Sequence, residues 1–157
     1  MNDEHTFLYI IIYEHMCESI ERLHFAIFIR GIPADIPKAD ERIAFESLYF
    51  DESFDRGLTR EQAGVFAEPL EMMRLAPSAG NKQPWMAVVC GRVLHFYENR
   101  TMKVSPLGDI QRVDVGIGLA HFDLTRKENG LSGRFTFKDP GLKTPENVQY
   151  VVSFERD

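Results

Sequence analysis

The densest concentration of groups able to do chemistry lies between two prolines, in Arg74-Leu75-Ala76-Pro77-Ser78-Ala79-Gly80-Asn81-Lys82-Gln83-Pro84-Trp85. Pro77 and Pro84 fix φ at both ends of a run of small side chains. That exposes backbone N–H and C=O groups together with the Ser78 hydroxyl and the Asn81 and Gln83 amides. Such a surface suits a flat heteroaromatic ligand: small residues admit a ring, prolines offer apolar contact, and amides match ring carbonyls and nitrogens. The same residues also read as a rigid connector from a helix to a strand, with Trp85 opening a core strand.

Other chemistries find less support. Gly116-Ile117-Gly118 lacks a third glycine at the dinucleotide-binding spacing and falls inside a helical stretch. There is no Walker loop, no HExxH pair among His5, His15, His24, His95 and His121, and no GxSxG elbow. His121 reads as a packed or surface histidine. Cys17 and Cys90 belong to no CxxC and no Cys/His cluster, so they read as reduced, buried thiols, with neither a disulfide framework nor a metal site. The acidic run 51–55 reads as a solvated loop.

The elements that position the loop follow from periodicity and punctuation. Thr59-Arg60-Glu61-Gln62 is a capping box that opens a helix. Pro69 starts a second helix that ends before Pro77, since a residue preceding proline is pushed out of the α region. After the loop, residues 85–90 and 92–97 form two strand patterns separated by Gly91, a tight hairpin. The longest helix runs from Asp109, its cap, to Asn129, with Gly130 at the left-handed C-cap position. Within it Ile110, Val113, Ile117, Ala120 and Leu124 follow a 3-4-3-4 spacing that marks the buried face. Gly116 and Gly118 cost about 1 kcal/mol each relative to Ala in a helix, so close helix packing or a ligand is expected there. Two more strands, 134–138 and 148–154, and a short helix within 38–47 complete the reading. These elements imply an α+β fold, with a mainly antiparallel sheet packed around a long central helix.

The chain has 157 residues, 44% hydrophobic and 27% charged, which is ample for one core and excludes collagen-like and disordered classes. A net charge of −6 lacks the basic footprint of a nucleic-acid or anionic-membrane binder, so neither is expected as a partner. The apolar run 7–13 is too short to cross a bilayer, which takes ~20 residues. Acidic residues precede it and no small-x-small site follows, so no signal peptide is expected there. It reads as part of a buried element, followed by an amphipathic helix over 14–23 and a strand over 24–30. Cytoplasmic residence is expected.

The loop carries a resemblance. Leu75-Ala76-Pro77-Ser78-Ala79-x-Asn81-x-Gln83-Pro84-Trp85, followed by a strand, resembles the signature of the FMN-dependent nitroreductase family. Residues 109–118, continuing to Lys127-Glu128-Asn129-Gly130-Leu131-Ser132-Gly133, resemble that family's long core helix and its Gly-Leu turn. Ala67-Glu68-Pro69-Leu70-Glu71-Met72 taken with His121-Phe122-Asp123-Leu124-Thr125 is similar to a subgroup known mainly from structural surveys. The resemblance implies a nitroreductase-like α+β fold, FMN as cofactor, and two-electron transfer from NAD(P)H to a nitroaromatic, quinone or other small acceptor.

By the same resemblance Pro77, Ser78 and Ala79 lie along the flavin ring, and Asn81 and Gln83 brace its edge or the ribityl chain. No side chain need act as acid or base. A homodimer is implied as well, because the family's flavin lies between two units. Residues 25–157 correspond to the C-terminal portion of the family's domain, and 1–24 form an atypical segment. Family members open with a basic Arg-Ser-x-Arg segment that grips the flavin phosphate. Here Arg74, Lys82, Arg112 or a partner chain must supply that charge. A second expectation therefore stands beside the enzyme: a truncated, non-catalytic module that keeps the fold and binds flavin weakly or not at all.

Overall fold

The computed structural model describes residues 41–101 and 109–157. The expected elements within 7–30 and the boundary between residues 24 and 25 lie outside them, as does Cys17. Residues Ile43–Asp157 cluster as one unit. It begins with a short helix α1 (Phe45–Leu48), strand β1 (Tyr49–Asp51) and helix α2 (Arg60–Ala63). A 3-10 turn at Gly64–Phe66 leads into helix α3 (Ala67–Leu75). Strands β2 (Trp85–Cys90) and β3 (Val93–Asn99), helix α4 (Ile110–Glu128), and strands β4 (Gly133–Thr136) and β5 (Val148–Arg156) follow.

The five strands form one sheet in the order β1-β2-β3-β5-β4. β1 runs parallel to β2, and every other neighbouring pair is antiparallel. The α+β class with a mainly antiparallel sheet is therefore as expected. The parallel pair is new: β1, which the sequence reading did not include, makes a crossover unit with α2, α3 and β2. Cys90 pairs with Val93, so the hairpin turn is Gly91-Arg92, with Gly91 at φ 60.

Helix starts obey their caps. Thr59 Oγ1 accepts the Gln62 N–H while Gln62 Oε1 accepts the Thr59 N–H, a complete capping box. α3 begins at Ala67, two residues before Pro69, which still falls in the first turn, where a missing N–H breaks no helical bond. Its last turn stops at Leu75, with Ala76 already extended at ψ 144. Asp109 caps α4 by accepting the Arg112 N–H. At the other end Gly130, at φ 67, and Leu131 close the helix on the carbonyls of Lys127 and Arg126.

α4 and α3 cover one sheet face. Phe122 stacks edge-on against Phe96 and Phe154, and Arg126 lies over the Phe154 ring at 4.7 Å. A Cβ on Gly118 would stand 3.0 Å from Trp85 Cε3 and 3.3 Å from the Met73 side chain. Close packing therefore accounts for this glycine. At Gly116 a Cβ would meet nothing within 4 Å. Tyr49, fully buried, donates its hydroxyl to the Leu70 carbonyl at 2.8 Å and fastens β1 to α3.

One expectation is reversed. The buried positions of α4 are Gln111, Asp114, Val115, Gly118, Leu119, Phe122, Asp123, Thr125 and Arg126. The apolar series Ile110, Val113, Ile117, Ala120 and Leu124 faces outward, with Ile110 and Leu124 exposed and the others half-buried. Apolar spacing alone picked the wrong side because the inner face carries polar residues with specific partners. Gln111 accepts the Thr101 N–H and donates to its hydroxyl, and Asp123 pairs with Arg126 and Lys127.

The opposite sheet face holds Val88, Tyr97 and Val148, with Phe50, Phe54 and Tyr150 packed against them. Cys90 lies on it as a free, half-buried thiol, less buried than expected, with its pKa raised by desolvation.

Candidate functional site: the loop between α3 and β2

The loop owes its shape to its own polar groups. Ser78 is extended, and the 3-10 turn Ala79–Asn81 reverses the chain through Gly80 at φ 58 and Asn81 at φ 56. Gln83 follows at φ 46. Left-handed backbone at a residue other than glycine costs of order 1–3 kcal/mol and persists only where the surroundings enforce it.

Gln83 supplies much of that enforcement. Its N–H donates to Ser78 Oγ at 2.9 Å, its Nε2 donates to Asn81 O and Oδ1, both at 3.3 Å, and its Oε1 accepts the Ile43 N–H at 3.0 Å. It is 2% exposed. The amide that the sequence places at a ligand surface is therefore turned inward as the keystone of the loop.

On the other side the loop is tied to α4. The Ala79 N–H is shared between both carboxylate oxygens of Asp114, at 3.0 and 3.1 Å. Asp114 is buried, which pushes its pKa above the usual range, while the Ala79 hydrogen bond pulls the other way. Sequence reasoning gave Asp114 no role. The available signal was an acidic residue on α4 lying off the apolar series.

The expected contact residues are thus brought together in one turn, with different exposures. Pro77 is exposed, Ser78, Ala79 and Asn81 are half-buried, and Gln83 is enclosed. The small outward groups leave room for a planar ring, and the prolines bounding the loop fix its ends. The N–H groups of Ala79, Asn81, Lys82 and Gln83 are spent inside the turn, so a ring laid on its outer surface would meet Pro77, the Ser78 and Ala79 side chains and the Asn81 amide.

The three cations that the sequence offers to a phosphate differ. Arg74 is held by Glu71 through Nε and Nη2 at 2.8 and 2.7 Å, and donates Nη1 to the Ile43 carbonyl. Arg112 pairs at 2.8 Å with Glu98, which is fully buried. Burial raises the Glu98 pKa, against the pull of Arg112 and Arg100. Lys82 is exposed and has no carboxylate partner among the described residues. Separately, a cleft of about 630 Å³ opens between Gly64–Glu68 and Asn129–Ser132, and no loop residue lines it.

Comparison with known proteins bears on this geometry. The family model described as "Putative TM nitroreductase" matches residues 52–126, a span that holds α3, the loop, the β2–β3 hairpin and most of α4. That match agrees with the resemblance carried by the loop and helix residues. No curated protein matches. A solved structure described as a "putative nitroreductase" from Thermotoga maritima is similar at 24% identity and a TM-score of 0.48, over 80% of this chain and 46% of that one. The chain spans less than half the length of that protein.

Proposed function

We propose that this chain belongs to an FMN-dependent oxidoreductase passing electrons from NAD(P)H to nitroaromatic, quinone or similar small acceptors. The observation that carries the reading is the loop itself: a strained turn of small residues, locked from within by Gln83, inside the segment that the nitroreductase family model matches. The flavin would supply the two-electron chemistry. Pro77, Ser78 and Ala79 bind along its ring, Asn81 braces its edge, and Gln83 acts through the others by fixing their backbone. Lys82 offers its ammonium group to the phosphate, because Arg74 and Arg112 are committed to Glu71 and Glu98.

A homodimer is part of the proposal. The outward apolar series on α4 gives a second copy a surface to cover, at about 25 cal/mol per Å² of apolar area buried. Cytoplasmic residence belongs to the same reading, since the nicotinamide donor is available there. Among the described residues no helix is long and apolar enough to cross a membrane.

One observation favours a second reading, a non-catalytic module of the same fold. Of the three cations that the sequence offers to a phosphate dianion, Arg74 and Arg112 are paired with carboxylates, and Lys82 has none among the described residues. Addition of FMN to purified protein separates the two. Saturable quenching of flavin fluorescence with near-stoichiometric uptake is expected, and protein that stays colourless in excess FMN would establish the second reading.

A further inference from the structure

Asp114 lies one turn before Gly118 on α4 and is 3% exposed, with both oxygens on the single Ala79 N–H. Among the described residues no cation pairs with it. A buried carboxylate served by one neutral donor is costly. Nothing in the packing of the helix calls for a charge there, since Val115, Gly118, Leu119 and Phe122 supply its apolar inner face. The carboxylate makes sense through the loop it holds.

That loop needs holding on two sides. Its left-handed residues Gly80, Asn81 and Gln83 lie close together, and Gln83 ties one side to the Ile43 N–H. Asp114 ties the other side to α4, by way of the residue between Ser78 and Gly80.

We propose that Asp114 is a positioning residue for the flavin: by holding the Ala79 N–H it keeps the 77–84 loop in the shape that receives the ring. This rests on the FMN reading above. A carboxylate held against the Ala79 N–H would also oppose the arrival of electrons on a ring bound at the loop. Asp114 therefore affects both how tightly the flavin is held and how readily it is reduced.

Two variants separate these effects. Asp114→Asn keeps an acceptor oxygen and removes the charge, whereas Asp114→Ala removes both. In FMN-free protein, exchange of the Ala79 amide hydrogen is expected to be slow in the wild type, close to that in Asp114→Asn, and at least about tenfold faster in Asp114→Ala. In FMN titrations Asp114→Ala should bind at least about tenfold more weakly and Asp114→Asn within about threefold of wild type. The flavin in Asp114→Asn should have a more positive reduction potential.

Wild-type affinity in Asp114→Ala, or an unchanged Ala79 exchange rate, overturns the proposal. If Asp114→Ala does not fold, the potential of Asp114→Asn decides, and an unchanged potential overturns it. If the wild type takes up no FMN, the flavin reading fails and the ligand role of Asp114 fails with it. Ala79 exchange then still shows whether Asp114 holds the loop.

Discussion

Single residues in this molecule are specified by what lies within 4 Å of them. Gly118 and Gly116 make the sharpest contrast. Replacing Gly118 by Ala forces a Cβ against Trp85 and Met73, and overpacking of this kind costs about 1–3 kcal/mol. Trp85 and Met73 are both fully buried and have little room to give way, so the cost should outweigh the helix-propensity gain of about 1 kcal/mol. Gly116→Ala meets no neighbour and should gain up to about 1 kcal/mol. Thermal unfolding of the two variants should therefore move Tm in opposite directions, and a common sign would contradict the packing described here.

Asn81 tolerates left-handed backbone better than alanine does, and its Oδ1 accepts from Gln83. If FMN binds, Asn81→Ala should weaken it about tenfold, and unchanged affinity would remove the loop from the flavin site.

Glu71 supplies a pH test. The Arg74 hydrogen bonds hold its carboxyl below the ordinary value of 4.5, against the opposing effect of burial. Its folded-state pKa is lower than its unfolded one, so the stability it contributes is complete above about pH 4.5 and is lost as pH falls through the lowered value. Denaturant unfolding of wild type and Glu71→Gln should differ by about 1.5–3 kcal/mol at pH 7 and converge in acid. Glu98 has the opposite sign, since burial raises it, but its contribution cancels in that difference.

At the level of elements, helix ends were legible and helix faces were not. Thr59, Asp109 and Gly130 announce their caps because capping is local, settled within four residues of chain. Which side of α4 is inside depends on partners far away in sequence. Asp114 accepts from Ala79 of the loop, Gln111 bonds Thr101, and Gly118 lies against Trp85. No periodicity encodes those contacts. β1 was missed for a related reason: three residues with one buried position carry no alternation to read.

The loop was legible as a place and less so as a mechanism. Its prolines and amides stand out in the sequence, but only the fold turns Gln83 inward. The outward series on α4 makes its own prediction. Ile117→Glu should leave the fold intact and prevent association, as measured by sedimentation or light scattering. A variant whose mass in solution matches a dimeric wild type would show that another surface mediates assembly.

At the scale of the whole sheet, chain order and spatial order disagree in one place among the described strands. β5 comes last in sequence but lies inside the sheet, between β3 and β4, and its residues 148–156 pair with both. The β2–β3 hairpin can form early from local contacts, whereas its β3 edge stays unpaired until about fifty further residues have been made. During synthesis that edge is a template for another nascent chain. A substitution that slows docking of β5 would therefore register first as lost yield of soluble protein in the cell, before it changed the stability of molecules already folded.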